Sequence, residues 1–193
     1  MRKTPAVMGV LSMVFGGIQA AISALTIASQ PFSKGMMTDF SKAFSGLPRQ
    51  DGQPDPAAMF EQLGRVTEGL KVYNYALHGV LMLMSIALIV IGYMLFHRRP
   101  ASRPLSIGWA LAALAYLPVM IYIEVKVILP RTQEVMAQMF AGSGGGSEAL
   151  MQGMSGMTGT ITAVGNVVLH APFPILLLIL IGRPSTKNDL VPG

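Results

Sequence analysis

The sequence predicts an all-α integral membrane protein: four transmembrane helices from two tandem, parallel-repeat helical hairpins, with helical extensions on the outer side. Three observations predict it. Charged residues are 12% of the 193, about half the share of a soluble domain, and mean hydropathy is +0.54. The apolar residues gather in four blocks, about 5–29, 74–96, 105–129 and 161–182, and each meets the ~20 residues a helix needs to cross a bilayer core. A short frame also occurs twice, as Asn74-Tyr75-Ala76-Leu77-His78 and Asn166-Val167-Val168-Leu169-His170, near the start of the second and fourth blocks.

The first block follows Met1-Arg2-Lys3 and has small residues around Thr26-Ile27-Ala28, the outline of a secretory signal. Its apolar stretch exceeds the usual core of a signal, and it has a counterpart later in the chain, so it is expected to stay as a span. Charge placement sets the orientation. Arg2, Lys3, Arg98, Arg99, Arg103, Arg183 and Lys187 flank the spans on one side against the single acid Asp189, while the connections 30–73 and 130–160 are nearly balanced. The positive-inside rule then puts both termini and the 97–104 link in the cytoplasm of an inner or plasma membrane, with the two long loops outside. The net charge of +5 resides at these flanks, and no basic groove with stacking aromatics supports a nucleic-acid partner. With no cysteine, disulfide frameworks, thiolate metal sites and cysteine catalysis are excluded.

The repeat is expected to run from 5–100 to 103–184, leaving a short cytoplasmic tail at 185–193. Leu11-Ser12 corresponds to Leu105-Ser106, Pro31 to Pro130 at the outer ends of the spans, and Ile91-Gly92 to Ile181-Gly182. Both hairpins start in the cytoplasm, so the copies are parallel and His78 and His170 are expected at matched depth. The outer loops themselves are helical in pattern. Phe32, Met36, Met37, Phe40 and Phe44 mark one helix, and Met59, Leu63, Val66, Leu70 and Tyr73 another after Pro54-Asp55-Pro56. Residues 46–52 break the first loop and the glycine-rich 142–147 the second, while 131–140 prolongs the third span and 148–158 returns.

Within the spans, Gly16-Gly17, Ala20-Ala21, Ala24 and Ala28 form a small-residue stripe of the kind that lets helices approach closely in lipid. Pro118 predicts a kink in the third span, and Pro172 and Pro174 free carbonyls next to His170. Glu124 and Lys126, at the outer end of the third span, are expected to reach toward the headgroups.

His78 and His170 are the candidate cofactor-binding residues, because an ionisable group inside a span is costly and therefore a functional candidate. Paired imidazoles could ligate haem iron, hold copper or zinc, or titrate together. The plainer reading makes Asn74 and Asn166, one turn earlier, structural polar clamps for the histidines. Methionine is the second signal: Met151, Met154 and Met157, in Met-x-x-Met-x-x-Met spacing, are a candidate soft-metal site and resemble the clusters of copper transporters and chaperones. The plainer reading there is gap-filling on one helix face. No nucleophile–base–acid set is present, so no enzyme and no bound cofactor are expected, with haem or copper as the alternative. The expected function is that of a structural, accessory or assembly subunit in the lipid bilayer, meeting another membrane protein or a second copy through its outer helices. The alternative is a metal- or haem-binding redox or transport subunit.

Overall fold

The computed structural model describes residues 4–44, 56–140, 161 and 164–182. Among them every regular element is helical: α1 (Thr4–Phe44), α2 (Pro56–Phe96), α3 (Ser102–Ile123), a π-helical turn (Glu124–Ile128), α4 (Leu129–Phe140), α5 (164–170) and α6 (Pro172–Gly182). Four stretches are long and apolar enough to cross a membrane: Thr4–Phe32, Phe60–Phe96, Ser102–Glu134 and Val164–Gly182.

The segments expected as separate outer helices are continuations. α1 and α2 are 41 residues each, and α1 passes through Pro31 without ending. Pro31 leaves only the Ile27 carbonyl without its helical donor, a local loss that the rest of a long helix absorbs. The third span behaves differently: α3 stays helical through Pro118, and the irregularity falls at Glu124–Ile128, where the Leu129 amide donates to the Glu124 carbonyl. Pro130 follows at once. Its ring would clash with the carbonyl four residues back, and the wider π turn offers a way around that clash. Glu124 and Lys126 sit in this turn.

The chain forms two compact units. The first comprises Met1–Thr26, Leu77–Met120 and Gly165–Gly193 and is a four-helix bundle. Its α1 and α2 run antiparallel in backbone contact: a Cβ on Gly9 would lie 2.6 Å from the Gly92 carbonyl, and one on Gly16 2.9 Å from that of Ser85. These two contacts are seven residues apart on both helices, the spacing of an antiparallel seam. The expected small-residue stripe is thus rotated: Gly16 is on the seam, but a Cβ on Gly17 would meet nothing within 4 Å. α3 is tied to α2 at the same spacing, with the Trp109 indole donating to the Met84 carbonyl (2.7 Å) and the Tyr116 hydroxyl to that of Leu77 (3.0 Å). Phe173 of α6 closes the ring, stacked on Phe15 at 4.5 Å and edge-on to Trp109 at 6.2 Å. Leu88, Leu95, Ala110, Leu177 and Ile181 fill the core between them.

The link from α2 to α3 is tight. Arg98 has φ 54°, and the Arg98 and Arg99 amides donate to the carbonyls of Leu95 and Met94. That is a Schellman cap, with arginine in the left-handed position glycine usually takes. Ser102 opens α3 with its hydroxyl on the Arg99 carbonyl at 2.6 Å.

The second unit comprises Ile27–Ala76 and Ile121–Val164. In it Phe40 stacks on Phe60 at 5.6 Å, Gly64 lies against Met37, and Leu70 is buried. Glu61 and Arg65 pair one turn apart on the exposed face of α2.

Candidate functional site

The first unit contains a polar focus inside an apolar bundle. α1 carries Gln19 on the same face as Ser12, Gly16 and Ser23, a spacing of three and four residues that turns all of them inward. From that face the Gln19 side-chain nitrogen comes 3.2 Å from Nδ1 of His170, linking α1 to α5. Pro174, one turn beyond His170, lacks the amide that would donate to the His170 carbonyl. The helix bends at Ala171 and resumes as α6, still held by Ala171 to Val167 (2.9 Å) and Ile175 to Ala171 (3.3 Å).

Around the Gln19–His170 pair lies a cavity lined also by Phe15, Met84, Trp109, Tyr116, Met120 and Pro174, with Leu81, Ala113 and Leu117. The space open to the centre of a water molecule is about 20 Å³, room for one water or one ion. Apart from His170, no acidic or basic side chain lines it. The Gln19 side-chain oxygen is buried with no hydrogen-bond partner. Rotating the amide exchanges which end meets His170 and leaves the other unpaired. A buried amide end without a partner is destabilising by about 1–3 kcal/mol.

His78 belongs to the same unit but does not line the cavity. Its Nδ1 is buried without a partner, and the Nδ1 partner of His170 is Gln19 rather than Asn166. The two Asn-x-x-Leu-His frames also differ in rotation: Leu77 is 4% exposed and Leu169 66%. Among the described residues no three His, Cys, Asp or Glu side chains converge on a point that could hold a metal ion. Met151, Met154 and Met157 lie outside the described residues.

Sequence reasoning missed Gln19, Trp109, Tyr116, Met84 and Met120. Two of these had a visible signal. Gln19 is an uncharged polar residue in the middle of the first apolar block, and Trp109 is the chain's one tryptophan. Both carry a polar group into an apolar setting and must find a partner there. Met84 and Met120 had none, since nothing in their spacing distinguishes them from lipid-facing methionines.

No protein-family model, curated protein or solved structure matches the chain.

Proposed function

We propose that this is a four-span integral membrane protein of an inner or plasma membrane, with its termini and the 97–104 link cytoplasmic. On this reading it is a non-enzymatic accessory or assembly subunit whose outer helices meet another membrane protein or a second copy. The observation that carries it is the stripe Phe32, Met36 and Phe40 on α1, 77%, 55% and 43% exposed at one-turn spacing. The apolar span of α1 ends at Phe32, so Phe32 lies at its outer end and Met36 and Phe40 lie on the part of the helix that extends past it. Charged Asp39 and Lys42 share that segment, which suits an aqueous or headgroup setting rather than lipid tails. Apolar side chains in line on such a surface mark a contact face.

The proposal includes the duplication. Ser12 and Ser106, matched in the two copies, are both fully buried, as are Ile91 (6%) and Ile181 (1%) to within a few per cent. The Leu77–Leu169 difference limits the likeness to the order of the matched residues and the burial of some of them.

The test is photo-crosslinking in native membranes from residues 32 and 36, with residue 14 as a lipid-facing control, since Val14 is 54% exposed within the first span. A discrete protein adduct from 32 and 36, absent from 14, is the expected result. Adducts to lipid alone at all three positions would remove the contact face and the reading with it.

A further inference from the structure

We propose that the cavity beside His170 binds a soft monovalent metal ion, Cu(I) in the cell and Ag(I) as its probe, through the His170 imidazole and the Met84 and Met120 thioethers. The proposal is independent of the outer contact face.

Size comes first. A space of about 20 Å³ suits one atom-sized occupant. The chemistry of the walls then selects among small occupants. Mg²⁺ and Ca²⁺ require shells of oxygen ligands built on carboxylates, and the lining has no carboxylate. An anion would need fixed cations, and no lysine or arginine lines the space. The lining residues with donor atoms are Met84, Met120 and His170, beside the Gln19 amide and the Tyr116 hydroxyl, and thioether with imidazole is the donor combination that favours Cu(I). The ligands are neutral and no counter-charge faces the cavity. Because the desolvation penalty of an ion rises with the square of its charge, a monovalent ion is far better tolerated there than a divalent one. The Trp109 indole also lines the cavity, and its nitrogen is fixed on the Met84 carbonyl. A tryptophan face is a favourable neighbour for a cation.

The Gln19 contact fits this role. A histidine that ligates through one ring nitrogen donates the other N–H to a neighbouring acceptor, which fixes its tautomer and ring orientation. With the Gln19 oxygen turned toward Nδ1, the imidazole donates Nδ1–H to it, and Nε2 keeps its lone pair for a metal. Gln19 is then a positioning residue for His170. This donor set shares His170 with the one expected from sequence but not His78, which is outside the cavity, and its methionines belong to α2 and α3.

The test is Ag(I) titration of the purified full-length protein in detergent, with metal counted after desalting and the donors read by X-ray absorption. The starting chain carries M151L, M154L and M157L, so that the Met-x-x-Met-x-x-Met cluster contributes no background. One retained ion per chain with mixed sulfur and nitrogen neighbours is expected. Met84→Leu and Met120→Leu, near-isosteric changes that keep the fold, should each weaken binding roughly tenfold or more. Gln19→Leu should weaken it roughly 10–100-fold while leaving the sulfur neighbours in place. His170→Ala should abolish it, with circular dichroism as the check on folding. Failure to retain silver, retention unchanged by M84L and M120L, or preference for Zn²⁺ over Ag(I) would each overturn the proposal.

Discussion

The peptide backbones of Gly9 and Gly92 touch: a Cβ on Gly9 would lie 2.6 Å from the Gly92 carbonyl, and one on Gly92 2.7 Å from that of Gly9. Each glycine makes room for the other. Because the obstructing atoms are backbone, neither helix can yield by rotating a side chain. Gly9→Ala or Gly92→Ala should therefore push α1 and α2 apart and destabilise the first unit by about 1–3 kcal/mol, the usual penalty for overpacking. Gly17→Ala, with open space at its Cβ, should be neutral or slightly stabilising. Unfolding midpoints in detergent would check this, and equal effects at positions 9 and 17 would contradict the seam.

Trp109 and Tyr116 hold α2 by its carbonyls two turns apart. Each acceptor lies inside α2 with its own helical hydrogen bond, so removing the donor does not orphan that carbonyl. Tyr116→Phe should then lose only about 0.6 kcal/mol, in line with hydrogen bonds between membrane helices. Trp109→Phe should lose more, because the indole also packs edge-on against Phe173. The two sites are about 10 Å apart along α3, far enough for their effects to add. A double-mutant cycle on the unfolding free energies would measure the coupling. A coupling term well above 0.5 kcal/mol would mean that the two clamps act as one.

Much of the helical plan was legible in the chain because it follows from single-residue properties. Four apolar runs separated by polar links give four helices long and apolar enough to cross a membrane, and the helical pattern in 32–44 and 56–73 matches α1 and α2. The seam was only half legible. Small residues at one-turn spacing mark Gly16, but whether Gly9 or Gly17 accompanies it depends on the helix's rotation against its partner, and one sequence does not contain that rotation. The site was least legible. The histidine frame drew attention to Asn74 and Asn166, which are near in sequence, whereas the His170 partner is Gln19, more than a hundred residues away. Pairings across a bundle are set by which faces meet, and no local spacing encodes them.

Gln19 and His170 form a polar link inside an apolar bundle, so removing one partner should cost more than removing both. Gln19→Leu leaves the imidazole Nδ1 without a partner, and His170→Leu leaves the amide with neither end bonded. Each should destabilise the apo protein by about 1–3 kcal/mol. The double variant replaces the pair with apolar surface and should recover part of that loss. The checking measurement is again a double-mutant cycle, run in metal-free buffer so that any bound ion is kept out of the comparison. Strictly additive losses would show that the 3.2 Å contact contributes nothing to the fold.

Arg98 offers a change in the opposite direction. Its φ of 54° puts a residue with a Cβ in the left-handed region that a Schellman cap requires and that glycine occupies without steric penalty. Arg98→Gly removes the clash of Cβ with its own carbonyl, about 1–2 kcal/mol, and gives back about 0.4–1 kcal/mol through the greater freedom of glycine in the unfolded chain. The net expectation is a gain of about 0–1.6 kcal/mol. Arg98 also carries one of the positive charges between α2 and α3, so Arg98→Ala is the necessary companion: it removes the charge and keeps the strained backbone. If backbone conformation governs, the glycine variant should melt above both the alanine variant and the parent. If the arginine side chain matters more than the backbone, both variants should melt below the parent by similar amounts, and the strain at residue 98 would be of no consequence for stability.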